Sequence, residues 1–147
     1  MPDRTNFLSA FNGSFSGILR WPQLDELWAV LRADAGGSWY LYAVGDTPPT
    51  QPSTAVEVER FIAEIDPLLR REYPEEHCGL VYVDDKTQPR FVKIYDPHNL
   101  GVSCGYSTNP PLPGWVMSKI VPVDLQHAGP LAQSRKRWWQ NLFGSRK

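Results

Sequence analysis

All three histidines and both cysteines of this chain lie after residue 76: His77, Cys78, His98, Cys104 and His127. These are the residue types that bind metals or attack carbonyls, so their spacing comes first. His77-Cys78 and His98…Cys104 supply four ligands of a type that suits zinc. Adjacent side chains on a strand point to opposite faces, however, so His77 and Cys78 do not easily share one ion. The spacing matches no common zinc arrangement, and no metal or cofactor is expected. A thiol nucleophile is the second chemistry. Cys104 sits in the glycine-flanked stretch Val102-Ser103-Cys104-Gly105, with His98 as its base and Asp96 to align the imidazole. No helix N-terminus or cation cluster that would lower the thiol pKa is evident. The simpler reading is a turn in which Gly101 and Gly105 adopt unusual backbone angles.

A third constellation is not catalytic. Near the C-terminus the chain reads RKRWWQNLF, Arg135 to Phe143. Residues 131–147 carry five cations (Arg135, Lys136, Arg137, Arg146, Lys147) and no acid. The whole chain has a formal net charge of −1, which leaves −6 for residues 1–130. A basic, aromatic tail on an acidic body points to docking. As a helix over 133–143 the segment gathers Trp138, Trp139 and Leu142 on one side, with Arg135 nearby and Phe143 at its end. Such a segment can seat in a protein groove, the acidic body of its own chain included. It can also lie on an anionic membrane or, less well with so few cations, bind nucleic acid. STNPPLPGW, Ser107 to Trp115, is a second docking candidate. Its prolines limit the entropy lost on ordering, and Trp115 either anchors a partner or opens a strand and packs inward.

These residues need elements to position them. At 147 residues the chain suits one domain with one sizeable core, and its 14 prolines speak for ordered turns. PQLDELWAVLRAD, Pro22 to Asp34, places Leu24, Leu27, Trp28 and Leu31 on one helical stripe, with Asp25 and Glu26 in the first turn and Gly36-Gly37 beyond the end. Thr54 opens a capping box with Glu57. Val58, Phe61, Ile62, Ile65 and Leu69 then form the stripe of a second helix to about residue 72, which Pro67 should kink or divide. Ser38–Gly45 is apolar on both faces and is expected as an interior strand. His77–Asp85 and Arg90–Asp96 are expected as a hairpin. Phe15–Trp21 is expected as a short strand and Trp115–Val123 as the last, ending or lying at an edge because of Pro122; the long loop between Asp96 and Trp115 is interrupted at most by a short strand around Val102–Tyr106. The order predicts an α+β domain over residues 1–130, a mostly antiparallel sheet with two main helices packed on it, followed by the tail 131–147.

YPEEHCGLVYV, which follows an amphipathic helix, resembles the start of a JAB/MPN-type metalloprotease domain, and GYSTNP stands roughly where such domains carry a His-x-His-Pro motif. Ser107 and Asn109 replace both histidines, and no aspartate follows at the family's distance. The likeness covers about a third of the chain and implies a scaffold without zinc and without isopeptidase activity. No phosphate-binding glycine loop or paired-carboxylate signature stands out. No apolar run reaches transmembrane length, and the first residues lack the apolar core of a signal peptide, so a cytoplasmic protein with reduced thiols is expected.

Together these features predict a non-catalytic accessory or adaptor protein. It binds another macromolecule, most simply a protein, through loops and tail, with Trp115, Arg135, Lys136, Arg137, Trp138, Trp139, Leu142 and Phe143 as contact residues. Two alternatives stand beside it: a thiol- or metal-dependent enzyme centred on Cys104, His98 and Asp96, and a peripheral membrane protein attached by the tail.

Overall fold

The computed structural model describes residues 4–98, 112–125 and 132–143. Its elements run α1 (Arg4–Phe11), β1 (Ser16–Arg20), α2 (Trp21–Ala33), β2 (Tyr40–Ala43), α3 (Ala55–Glu72), β3 (His77–Val83), β4 (Phe91–Ile94), β5 (Trp115–Ser118) and α4 (Gln133–Leu142). The five strands form one sheet in the order β1-β3-β4-β5-β2, every pair antiparallel. The fold is α+β, as the element pattern predicts. The expected strand at Val102–Tyr106 lies outside the described residues.

Helix α3 starts where the capping box places it. Thr54 Oγ1 accepts the Glu57 N–H at 3.2 Å, and Glu57 Oε1 accepts the Thr54 N–H at 2.9 Å, satisfying two backbone donors that the first turn leaves free. Val58, Phe61, Ile62, Ile65, Leu68 and Leu69 are buried along one stripe. Pro67 does not divide the helix, which runs unbroken to Glu72. Helix α2 begins one residue earlier than the apolar stripe suggests, with Gln23 Oε1 accepting the N–H groups of Leu19 and Arg20. Asp25 therefore falls past the first turn. Instead of a helix dipole it meets Arg70 Nη2 on α3, at 2.7 Å.

Both faces of the sheet are covered, and the strand expected in its interior lies at its edge. Leu41, Ala43, Val81, Val83, Val92, Ile94, Trp115 and Met117 join the core beneath α2 and α3, which Leu142 of α4 also enters. On the other face Phe7 and Phe11, one helical turn apart on α1, pack on Tyr42, Phe91 and Val116. Helix α1 is missing from the sequence reading, because eight residues with two buried rings carry little periodic signal. Strand β2 is apolar on both sides for this reason, yet it is the edge of the sheet, not its interior. Burial perpendicular to the sheet and neighbours within it are independent, and side-chain pattern reports only the first. The edge is walled instead by the proline-rich loop after β2, whose Ser53 N–H donates to Trp39 O at 2.7 Å. Strand β5 sits between β4 and β2 and stops at Ser118, where the side-chain hydroxyl accepts the Ile120 N–H and donates to the Ile120 carbonyl. Pro122 follows the strand's end.

Candidate functional site

Helix α4 forms where the tail pattern places a helix, and it packs on the domain. Leu142 is 5% exposed and belongs to the main core. Trp138, Trp139 and Phe143 are half-buried against that core. The Trp138 ring stands 5.5 Å from Trp115, and Trp139 stands edge-on to Phe61 of α3 at 5.9 Å and to Phe143 at 5.1 Å. Arg60 of α3 donates to the Leu142 carbonyl at 3.3 Å, serving one of the acceptors that a helix C-terminus leaves open.

Arg135 is the least exposed charged residue of this helix, and it is held at both ends of its guanidinium. Nε donates to Asp96 Oδ2 at 2.9 Å and Nη2 to Asp96 Oδ1 at 3.0 Å. On the other side Nη2 and Nη1 donate to Glu72 Oε1 and Oε2 at 2.6 and 3.2 Å. Two bidentate carboxylates engage four of the five donors of the planar fork. The pairing raises the Arg135 pKa, chiefly through the Asp96 hydrogen bonds. It also holds Glu72 below the ordinary carboxylate value, chiefly through the hydrogen bonds from Arg135. Glu72 ends α3 and Asp96 follows β4 by two residues, so one arginine clamps α4 to a helix and to a strand end. The clamp lies above Trp115, with the guanidinium carbon 5.9 Å from the ring. Trp115 Nε1 is buried and has no hydrogen-bond partner among the described residues.

These positions sort the sequence candidates. Lys136 and Arg137 are exposed and form no ion pair among the described residues. Trp115 is 1% exposed and opens β5 in the core. The partner-anchor alternative for Trp115 is thereby corrected, because a ring packed beneath α4 reaches no partner while α4 is docked. Arg135 and Leu142 likewise serve the inner face of the helix.

Of the thiol constellation, Cys104 lies outside the described residues, as do Ser107 and Asn109. Asp96 and His98 do come together, but not as a base and its aligning carboxylate. Asp96 Oδ1 accepts the His98 backbone N–H at 2.9 Å while the carboxylate serves Arg135. The imidazole turns to Glu72, with Nε2 2.5 Å from Oε1. Cys78 is buried and free, and burial pushes its thiol pKa up. His77 beside it is exposed, on the opposite side of the strand. Among the described residues no cluster of three His, Cys, Asp or Glu could hold a metal ion, and no helix is long and apolar enough to cross a membrane.

The sequence reading missed Glu72. Nothing local distinguishes it from the other surface acids of α3, and only the fold brings it within reach of a side chain 63 positions away. Comparison with protein-family models, curated proteins and solved structures finds no match, so the chemistry has to be argued from these residues alone.

Proposed function

We propose that this is a non-catalytic accessory protein that binds another macromolecule, most simply a protein with an acidic surface, through the outer side of α4. The observation that carries this reading is the division of the helix. Arg135 and Leu142 are spent inward, while Lys136 and Arg137 face solvent without an acidic partner among the described residues, beside the half-exposed rings of Trp138, Trp139 and Phe143. A helix already clamped in place loses little entropy on binding, and cations beside aromatic rings are the composition of interface anchors. The same packing speaks against the membrane reading, since the apolar side that a lipid surface needs is occupied by the protein's own core. A cytoplasmic setting fits a buried, free Cys78.

The test is affinity capture with full-length protein and a Lys136→Glu/Arg137→Glu variant, followed by identification of the retained proteins. Both positions are exposed, so folding is expected to survive, which circular dichroism checks. A specific partner should be lost or weakened about tenfold at low salt, with the difference shrinking as salt rises. Equal capture of every partner by both proteins refutes the reading. Flotation with anionic vesicles in the absence of protein partners would move the membrane alternative ahead.

A further inference from the structure

The more enclosed of two concavities beside α4 among the described residues lies between that helix and the edge of the sheet. Val44 N–H donates to Gly114 O at 2.9 Å, which fixes the phase of the ladder. Tyr40 and Tyr42 therefore exchange hydrogen bonds with β5, and Leu41 and Ala43 turn their main-chain groups outward. Two turns of the following loop fold along this edge, through Asp46 N–H to Ala43 O and Ser53 N–H to Trp39 O. The edge, the loop and the helix do not close on one another. They leave a cleft of about 140 Å³ whose apolar walls, Leu41, Ala43, Pro49, Pro52, Trp139 and Phe143, alternate with the polar Thr47, Gln51 and Ser53. Among the described residues no charged side chain lines it. A cavity of about 150 Å³ accepts a benzene ring, so the cleft has room for one aromatic or branched aliphatic side chain.

Its rim has a sign. Lys136 lies three positions before Trp139 and seven before Phe143, which places all three on one flank of the helix. Lys136 is exposed and unpaired among the described residues. Two further concavities among the described residues differ. The one between α3 and α4, about 310 Å³, is bordered by Arg60 and Glu64, and the one beside the β3–β4 turn, about 380 Å³, by Asp34, Arg90 and Lys119. Both carry charges of both signs and favour neither.

We propose that the cleft between β2 and α4 receives one bulky apolar side chain of an acidic peptide segment, with a flanking carboxylate of that segment on Lys136. The proposal rests on the reading of α4 as a docking surface and gives the partner its chemistry. The apolar side chain supplies affinity by filling a preformed, proline-walled space. The carboxylate supplies orientation and a salt-dependent association rate.

The test uses the full chain and a blocked pentapeptide, acetyl-Asp-Asp-Leu-Asp-Asp-amide, followed by two-dimensional NMR at millimolar peptide. Saturable shifts are expected at the Trp139 indole and at the amides of residues 47–53. Replacing the central Leu by Ala, or both Asp pairs by Lys, should weaken binding about tenfold, the equivalent of about 1.4 kcal/mol. Gln51 is exposed and lines the cleft, so Gln51→Phe places a ring across it without touching the core. That variant should abolish the shifts, and Lys136→Glu should reverse the preference between Asp and Lys flanks. No shifts, or shifts that survive Gln51→Phe, overturn the proposal. Failure of the cleft is separable from failure of the docking surface. If Lys136→Glu/Arg137→Glu loses the captured partner while Gln51→Phe retains it in full, α4 docks and the cleft does not. If both variants retain it, both readings fall.

Discussion

Replacing Arg135 by Ala is the sharpest perturbation of this structure. The side chain of Asp96 is 6% exposed and that of Glu72 19%, and the change leaves both carboxylates facing the gap where the guanidinium was. Removing one partner of a buried charge pair costs about 3–5 kcal/mol, because the remaining charge is neither hydrated nor paired. Glu72 keeps the His98 imidazole beside it and regains part of its hydration through its exposed fifth, which places the expected loss near the lower bound, about 3 kcal/mol. That is a large share of the 5–15 kcal/mol typical of a domain. Urea unfolding followed by tryptophan fluorescence should show it. With a slope of about 2 kcal/mol per molar, the midpoint falls by about 1.5 M. Far-ultraviolet circular dichroism, measured in parallel, tells whether α4 leaves first or the domain unfolds as one. Acid dependence supplies an internal control. Glu72 is held below its unfolded-state value, chiefly by hydrogen bonds from Arg135, so its contribution is full above about pH 4.3 and is lost as pH falls through the folded value. Arg135→Ala should flatten this acid limb. A loss below about 1 kcal/mol, with the acid limb unchanged, would mean that the cluster behaves as an exposed salt bridge and that aromatic packing alone holds α4.

Two further outcomes test the fold around the site. In a Cys104→Ser background, Cys78 should react with a disulfide reagent at least about a hundredfold more slowly in native protein than in urea, since it is fully buried and burial raises its thiol pKa; equal rates would contradict its placement. Gly79 holds φ +68° where the β1–β3 register shifts, and a Cβ there would meet nothing closer than 3.9 Å, so Gly79→Ala should cost about 1–2 kcal/mol through backbone conformation alone, with Gly79→Asn losing less.

What the sequence by itself determined is local. The Thr54–Glu57 capping box, the stripes of α2 and α3, the β3–β4 hairpin and the helical tail depend on contacts within a few residues, and each occurs where the pattern places it. So does the grouping on α4, because Arg135, Trp138, Trp139 and Leu142 fall on one helical side whatever they pack against. The tertiary structure decided which surfaces were left over. Trp115 is the same tryptophan as an exposed loop anchor or as a core ring, and only β5 between β4 and β2, with α4 above it, settles that it is core. Strand β2 carries the apolar pattern of an interior strand because α1 covers its second face, while its place at the edge follows from strand order, which no pattern of side chains encodes. The arginine clamp needs the end of α3, the end of β4 and the start of α4 to meet, across separations of 63 and 39 residues. The charge split of the sequence shows that a basic tail and an acidic body attract. Which cation of the described tail the body consumes, and which two stay exposed, is a matter of distances that only the packed chain defines.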